Sequence, residues 1–395
     1  MKKITDSQTL AKVCAEFASA PFVTVDTEFL RERTYWSQLC LVQMARPGNE
    51  PEDAVLIDPL ADGMDLTPLW DLMANETVVK VFHAARQDVE IFWNMGEVIP
   101  TPLFDTQIAA MVCGYGEQVG YETLVRKIAS AKIDKSSRFT DWSRRPLQKK
   151  QLDYALADVT HLRVIYEVLA ERLEETGRAH WVAEELNVLT SPDTYSTDPD
   201  QAWQRVKSRS NNPKFLAIVQ ALARWREIQA QERDVPRNRI MKDDALLEVA
   251  TASPKTPEDL GRLRLIQREG RKPEVMQQIL DAVAEGRDCP PARRPKVADP
   301  PRRREGSVAI AELLKVFLKA RADEVGVAAR LIAPMSEIEA LAGEDRDDFA
   351  VLKGWRREVF GEDALRLKSG TVGLVARPGG VQLIDAPLTE EQAAE

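Results

Sequence analysis

The hydrophobic pattern of this chain changes about halfway along it. From Met1 to about Leu189, short β-branched runs alternate with longer stretches whose apolar residues recur at helical spacing. After Trp203, strand-like runs nearly disappear and short amphipathic stretches follow one another. The first pattern is typical of a mixed α/β layer structure and the second of compact helical domains. The sequence therefore predicts an α/β domain, with a mixed sheet flanked by helices, followed by small all-α domains.

The predicted strands lie early in the chain. The candidates are FVTVDTEF, QLCLVQMA, AVLIDP and VVKVFH. Three of them follow one another within the first 60 residues with only short turns between them, so we expect an antiparallel meander there. Helices are predicted over LTPLWDLMA, DVEIFWNMG, LFDTQIAAMVCG, YETLVRKIA and the long stretch from Leu147 to Glu175.

Chain length and two linkers suggest three domains. A chain of 395 residues exceeds the size that one hydrophobic core usually serves. The polar stretch from Ser191 to Gln201 and the Pro- and Arg-rich stretch from Cys289 to Gly306 are typical of linkers. We therefore predict domains at residues 1–190, 205–290 and 306–385, the last two small and helical through Ile384.

Composition excludes several classes of protein. With 44% hydrophobic and 30% charged residues, the chain is expected to be globular. No stretch has the apolar length of a membrane-spanning helix, and residues 5–8 are polar where a signal peptide would be apolar, so we expect a cytoplasmic protein with no membrane association. Four scattered cysteines indicate neither a disulfide framework nor a zinc site. The net charge of −9 means that a nucleic acid would have to be gripped locally.

Two acidic residues stand inside an apolar strand. In VTVDTEF, Asp26 and Glu28 are two positions apart, so both carboxylates project from the same face. Burying like charges side by side is strongly unfavourable unless cations or hydrogen-bond donors neutralise them. The pair therefore indicates a cation site.

Two other segments carry residues that fit such a site. In LDYALADV, Tyr154 and Asp158 lie one helical turn apart on the same face. Asp88 lies near the start of a predicted helix that follows the strand VVKVFH. Each motif alone would occur by chance on a solvated face, but the three segments together can converge on one pocket.

Four carboxylates and a phenol form a set of residues that can hold two hard divalent cations for the hydrolysis of a phosphodiester. Oxygen ligands select Mg²⁺ or Mn²⁺ over zinc. Two such ions ~4 Å apart can activate an attacking water and stabilise the leaving oxygen. We expect Asp26 to bridge the two ions, with Glu28 and Asp158 on the ion that activates water. Asp88 would help to hold the second ion, and Tyr154 would orient the water.

These residues stand in segments that resemble a known family. VDTEF, FHAARQDVEIF and SRFTDWSRRPLQKKQLDYALADV are similar to the three motifs of the DEDD exonucleases, in the subclass with tyrosine. More narrowly, TYWSQLCLVQMA, LFDTQIAA and DWSRRPL follow in the order of the ribonuclease D family. The resemblance covers essentially the whole chain, because that family also carries helical HRDC domains, which it shares with RecQ-type helicases.

The resemblance implies a ribonuclease-H-like fold and a metal-dependent 3′-5′ exoribonuclease. It implies release of nucleoside 5′-monophosphates from RNA with a free 3′ end, and a role in trimming tRNA precursors. The first HRDC domain, residues 205–290, carries PRNRIMKDDALLEVA and PKTPEDLGRLR. The second, residues 306–385, is more divergent and lacks an equivalent of PRNRIMKDD.

Further residues are candidates for RNA contact, each with a structural alternative. His83 can contact a phosphate or serve the strand end, and Phe29 can stack on the terminal base or belong to the core. Basic side chains that can hold RNA phosphates, or be merely solvated or ion-paired, are Arg144, Arg145, Arg237, Arg239 and Lys242. Asp105 can support a metal ligand or cap the helix that follows.

Two other functions are compatible with the sequence. A proofreading-type deoxyribonuclease would use the same five residues, since none of them reads the 2′-hydroxyl. A catalytically silent RNA-binding scaffold would rely on the helical domains alone. We expect a monomer, because two additional domains can supply a grip on RNA without a partner.

Overall fold

The first part of the chain is built on one six-stranded mixed sheet. The structure, a computed structural model, describes residues 2–138, 140–265, 272–296 and 306–386. The strands are β1 (Lys2–Ile4), β2 (Phe22–Leu30), β3 (Gln38–Ala45), β4 (Ala54–Ile57), β5 (Val79–Phe82) and β6 (Leu103–Asp105). Their order in the sheet is β1-β4-β3-β2-β5-β6.

The predicted meander is confirmed. Strand β3 pairs antiparallel with both β2 and β4, while β1–β4, β2–β5 and β5–β6 are parallel pairs. Strands β1 and β6 were not predicted, since three-residue strands carry too little alternation to be recognised. The helix predicted over LFDTQIAAMVCG is wrong for residues 103–105. They pair with β5, and the helix begins at Thr106 because Asp105 caps it.

Seven helices flank this sheet in the first part of the described chain. They are α1 (Ser7–Phe17), α2 (Thr67–Ala74), α3 (Arg86–Gly96), α4 (Thr106–Val112), α5 (Tyr121–Lys127), α6 (Lys149–Glu175) and α7 (Ala179–Leu186). The 27-residue α6 packs across β2, β3 and β4. It begins with a reciprocal cap between Gln148 and Gln151. On the other face of the sheet, buried side chains from α1, α2 and α3 form the main core.

A separate helical unit follows, after a segment with two 3₁₀ turns at Pro192–Thr194 and Pro199–Arg205. Its helices are α8 (Pro213–Glu232), α9 (Arg237–Ile240), α10 (Asp243–Ala252), α11 (Pro257–Gly261) and α12 (Pro273–Arg287). This unit has a hydrophobic core of its own. Gly286 permits the close approach of α12 to α8, because a Cβ there would lie 2.5 Å from the Cα of Ile218.

The last unit is mostly helical but ends in a hairpin. Its helices are α13 (Ser307–Val325), α14 (Ala329–Ile332), α15 (Met335–Gly343), α16 (Gly354–Arg356) and α17 (Glu362–Ser369), with a π turn at Arg357–Gly361. Strands β7 (Val372–Arg377) and β8 (Gly380–Asp385) then pair antiparallel. The all-α prediction was wrong for these two strands. Gly379, with φ of 99°, allows the tight turn that joins them.

The last unit packs against the α/β part of the chain, residues 1–190, and shares its core. Trp355 stacks on Trp181 of α7 with ring centroids 4.5 Å apart. Arg356 forms an ion pair of 2.5 Å with Glu185, and the Arg178 guanidinium donates to the carbonyl of Val325 at 2.7 Å. The buried apolar cluster therefore runs from the sheet into residues 306–386 without interruption.

None of the helices in the described ranges combines the length and the apolar character needed to cross a bilayer.

Candidate active site

Three carboxylates converge where α6 crosses β2. Asp26 and Glu28 project from β2, and Asp158 projects from α6. One carboxylate oxygen from each lies within 4.8 Å of the other two. The side chains line a cavity of about 560 Å³ that Asp88 and Tyr154 also line. All five sequence-predicted residues are thus brought to one cavity.

Asp88 lies beside this group rather than inside it. It is buried in the first turn of α3 and accepts a hydrogen bond from the Thr27 hydroxyl of β2. Among the described residues, the three-carboxylate group does not include Asp88. Thr27 was not among the predicted residues, since its place between the two acids carries no motif of its own.

Burial and mutual repulsion disfavour the charged form of these acids. Burial, followed by the nearby Asp158, raises the pKa of Asp26 well above its usual range. Burial and then Asp26 raise the pKa of Glu28 to about 10, and burial and then Asp26 raise that of Asp88 well above normal. Burial raises the pKa of Asp158 to about 7. A bound divalent cation would supply positive charge that favours the ionised forms of these carboxyl groups.

Tyr154 stands one helical turn before Asp158 and is coupled to it. Its hydroxyl hydrogen-bonds to the Asp158 carboxylate, which lowers the pKa of Asp158 and so opposes the larger effect of burial. Burial, followed by the negative charge of Asp158, raises the pKa of the Tyr154 phenol. The phenol therefore keeps its proton and acts as a hydrogen-bond donor near neutral pH.

Asp105 anchors the turn that leads into α3. Its carboxylate accepts the backbone N–H groups of Ala84 at 3.0 Å, Ala85 at 2.8 Å and Gln107 at 2.8 Å. Ala84 has a φ of 60°, a strained value for a residue with a side chain. Asp105 is therefore a helix cap and also the acid that holds the β5–α3 junction, on which the position of Asp88 depends.

Two further residues at the site were not found by sequence reasoning. The Tyr121 hydroxyl donates to the backbone carbonyl of Asp158 at 2.7 Å, which joins α5 to α6 at Asp158. Arg138 lines the cavity, and its charge favours the ionised forms of Glu28 and Asp158. Arg138 stands within SRFTDW, which is part of a segment that resembles the family, while Tyr121 stands in no motif.

Phe29 and His83 both line the site cavity. Phe29 is half-buried against the main core, and a register shift between Glu28 and Phe29 interrupts the strand alternation there. The Nδ1 atom of His83 lies 3.0 Å from the Thr106 hydroxyl. Burial lowers the pKa of His83, so the imidazole is neutral near pH 7.

Arg144 and Arg145 differ in placement. Arg144 has 84% of its side chain exposed and pairs with Asp141 at 3.3 Å. Arg145 is engaged in structural contacts: it donates to both carboxylate oxygens of Asp58 at 2.6 and 2.8 Å, and to the carbonyls of Cys40 and Trp142. It does not line the site cavity. Arg145 is therefore ion-paired within the fold, which is the alternative to contact with RNA phosphates.

The basic residues of the first helical unit lie apart from the acids. Arg237 lines a second cavity between this unit and the α/β part, and its guanidinium lies 3.6 Å from Glu227. Arg239 and Lys242 are exposed nearby and do not line that cavity.

The fold and the site together define the class of the protein. The sequence profile of the 3′-5′ exonuclease domain matches residues 1–174, and that of the HRDC domain matches residues 215–283. A mixed sheet of this topology with an acidic group on its central strand is the framework of a metal-dependent 3′-5′ exonuclease.

Within this class of exonucleases, the chain is similar to known proteins of one family. The chain is 56% identical to the ribonuclease D of Jannaschia sp. (strain CCS1), over 97% of this chain and 99% of that protein. It is 48% identical to the ribonuclease D of Nitrobacter hamburgensis, over 98% and 100% of the two chains. The crystal structure of Escherichia coli RNase D matches with a TM-score of 0.80 at 29% identity, over 93% and 98% of the two chains.

The chain therefore belongs to the ribonuclease D family. The predicted fold class and the predicted enzyme class, a 3′-5′ exoribonuclease, are both confirmed. The family is metal-dependent and acts on RNA, in agreement with the acidic group of the site.

Proposed function

We propose that Asp26, Glu28, Asp88, Tyr154 and Asp158 carry out the hydrolysis, with two divalent cations, Mg²⁺ or Mn²⁺, held by the four carboxylates. The observation that supports this best is the convergence of three carboxylates within 4.8 Å. When bound, the cations would supply the Lewis acidity that activates a water and stabilises the leaving oxygen.

Each of the five residues would have its own role in the hydrolysis. Asp26 lies centrally on β2 and would bridge the two cations. Glu28 and Asp158 would hold the cation on the side of the attacking water, and Asp88 would help to hold the other. Tyr154, which keeps its proton, would orient the water through its hydroxyl while Asp158 holds the tyrosine in place.

The substrate we propose is RNA with a free 3′ end, in particular tRNA precursors, trimmed to nucleoside 5′-monophosphates. Phe29 and His83 would contact the terminal nucleotide, because both line the cavity that holds the acids. Arg144, Arg237, Arg239 and Lys242 would contact the RNA body. We further propose a cytoplasmic monomer divided at residues 1–190, 205–290 and 306–385, with the last two as HRDC-type domains.

The experiment is a hydrolysis assay with 3′-labelled RNA, with Mg²⁺ or with a chelator. We expect labelled mononucleotide from the unaltered protein with Mg²⁺ alone, and a loss of kcat on the order of 10³-fold for Asp26→Asn. Asp62→Asn serves as the control, since Asp62 is exposed and lies outside the site cavity. Hydrolysis in chelator, or full activity of Asp26→Asn, would contradict the proposal.

Matched DNA strands in the same assay test the substrate class. Faster hydrolysis of DNA than of RNA would make the protein a deoxyribonuclease. Tight RNA binding without any hydrolysis would instead make it a scaffold.

A further inference from the structure

A second cavity, lined by arginines, lies between the nuclease part and the first helical unit. Its volume is about 620 Å³. Arg31 and Arg86 line it from the nuclease part, and Arg205, Arg226 and Arg237 line it from the other side. Five arginines in one cavity stand out in a chain whose net charge is −9. We call this cavity the arginine cleft.

The acids around the arginine cleft do not cancel its charge. The lining includes two of them, Glu90 and Asp243, paired with Arg31 at 2.8 Å and with Arg226 at 2.6 Å. Glu227 lies fully buried behind the lining, and its nearest guanidinium groups are those of Arg205 at 3.5 Å and Arg237 at 3.6 Å. Positive charge remains in excess even when Glu227 is counted.

Several of the arginines are accessible from solvent. The exposed fraction of the side chain is 44% for Arg31, 52% for Arg205 and 37% for Arg237, and Arg86 is exposed as well. Accessible guanidinium groups bind phosphate oxygens in pairs of parallel hydrogen bonds, which lysine cannot do. The cleft therefore offers a site for phosphate groups.

The arginine cleft adjoins the cavity that holds the acids. Phe29 of β2 lines the acidic cavity, and Arg31, just past the end of that strand, lines the cleft; two residues of extended chain span at most roughly 7 Å. At the start of α3, Gln87 lines the acidic cavity and its neighbour Arg86 lines the cleft. An RNA strand whose 3′ end lies at the acids would thus reach the arginines within a few nucleotides.

We propose that the arginine cleft binds the backbone phosphates of single-stranded RNA a few nucleotides to the 5′ side of the scissile bond. This inference rests on the proposed function, since the acidic cavity fixes the 3′ end. It assigns RNA binding to Arg31, Arg86 and Arg205, which no sequence motif indicated. It also explains how an acidic protein holds a polyanion at a site with four carboxylates.

The test measures binding of 5′-fluorescein-labelled RNA of 3, 6 and 12 nucleotides in chelator, where hydrolysis does not occur. For Arg86→Ala combined with Arg205→Ala, we expect at least a tenfold rise in Kd for the longest RNA and little change for the shortest. The slope of log Kd against log salt should fall by about 0.7 for each phosphate that the variant no longer neutralises. Arg86→Lys should restore part of the affinity, because it keeps the charge.

Arg377→Ala is the matched control, since Arg377 is exposed on β7 and lines neither cavity. Equal affinity of the double variant and this control for the longest RNA would overturn the proposal. Equal weakening at all three lengths would also overturn it, because the arginines would then only brace the interface. The proposed function fails separately, if the unaltered protein binds RNA but does not hydrolyse it when Mg²⁺ is added.

An independent observation concerns Gln43 of β3. Its side chain is fully buried, and neither its amide oxygen nor its amide nitrogen has a hydrogen-bond partner among the described residues. In the register of the sheet, Gln43 stands directly opposite Asp26 on β2 and opposite Leu56 on β4. Side chains that are opposite in register lie on the same face, so Gln43 and Asp26 project from the same face of the sheet on neighbouring strands.

A buried amide without partners reduces the stability of the fold, so a functional reason for it is expected. We infer that Gln43 is a positioning residue whose amide N–H donates to Asp26 when Asp26 holds a divalent cation. This inference rests on the proposed metal role of Asp26. Hydrogen bonds to a ligating carboxylate fix its orientation toward the metal.

The test is Gln43→Leu, which removes the amide at similar volume. We expect its thermal midpoint without metal to equal or exceed that of the unaltered protein, while its Kd for Mn²⁺, measured by titration calorimetry, rises about 10-fold or more. An unchanged Mn²⁺ affinity would overturn the inference. A fall in the thermal midpoint would also overturn it, since Gln43 would then stabilise the metal-free fold. Failure of the unaltered protein to bind Mn²⁺ would count against the proposed function instead.

Discussion

The ring and the hydroxyl of Tyr154 interact with different residues, so a substitution can remove the hydroxyl and keep the ring. The ring lies 6.2 Å from that of Trp142, while the hydroxyl interacts with Asp158. We expect Tyr154→Phe to keep the ring contact and to lower kcat about 10²-fold, with a nearly unchanged KM, because it removes only the hydroxyl that we propose to orient the water. Initial rates on labelled RNA measure both constants. A variant with a raised KM and an unchanged kcat would assign Tyr154 to substrate binding.

Asp58 is a buried acidic residue outside the site cavity, where it forms ion pairs within the fold. Burial opposes its ionisation, but hydrogen bonds from Arg145 and Lys3 outweigh burial and lower the pKa of Asp58. We expect Asp58→Asn to reduce the free energy of unfolding by about 3 kcal/mol at pH 7, because the Arg145 guanidinium loses its anionic partner.

The pH dependence of this loss follows from the direction of the shift. A carboxyl with a lowered pKa in the folded state contributes stability above its unfolded pKa, and this contribution disappears as the pH falls through the folded pKa. The difference between Asp58→Asn and the unaltered protein should therefore shrink below about pH 4. Urea denaturation at pH 7 and pH 3 measures it, and a difference that grows in acid would contradict this assignment.

At the scale of elements, the β5–α3 junction determines where Asp88 lies. One carboxylate, that of Asp105, accepts three backbone N–H groups from two segments. In Asp105→Asn an amide N–H₂ would replace one of the accepting oxygens. We expect the free energy of unfolding to fall by about 1–3 kcal/mol and Mn²⁺ affinity to weaken as Asp88 shifts.

Denaturation and Mn²⁺ titration measure the two effects. The control is Asp65→Asn, since Asp65 accepts the backbone N–H of Thr67 in an exposed turn outside the site cavity. Loss of stability with full Mn²⁺ affinity would mean that Asp105 only caps α4.

At the scale of the whole molecule, both helical units contact the nuclease part, the first helical unit directly and the last unit after it in the chain. The Tyr35 hydroxyl donates to Glu227 at 2.5 Å, and the backbone N–H groups of Tyr35 and Trp36 donate to Asp234 at 2.9 Å, so the first helical unit is joined by polar contacts. The last unit is joined by an apolar core. The two units are therefore held to the nuclease part by different forces.

Trp355 is central to the apolar contact. It is 1% exposed, stacks on Trp181, and its indole N–H donates to Glu185 at 3.0 Å. We expect Trp355→Ala to reduce the free energy of unfolding by about 3–5 kcal/mol and to make residues 306–386 sensitive to protease. Met335→Ala, at an exposed position on α15, should change it by less than about 0.5 kcal/mol. An equal effect of both variants would contradict a shared core.

The sequence by itself predicted five of the residues that line the site cavity and most of the elements. Strand periodicity placed Asp26 and Glu28 on one face, and helix periodicity placed Tyr154 and Asp158 on another, because both patterns are local. The same reasoning located the meander and the long α6, while β6 and the closing hairpin were missed because short strands depend on their partners.

Only the tertiary structure decided which distant residues meet. The support of Asp88 by Thr27 and Asp105, the link from Tyr121 to α6, the structural role of Arg145 and the arginine cleft each join segments far apart in the chain. Periodicity reports the face on which a side chain lies, but not which segment packs against that face. That choice depends on burial and charge pairing across the whole fold.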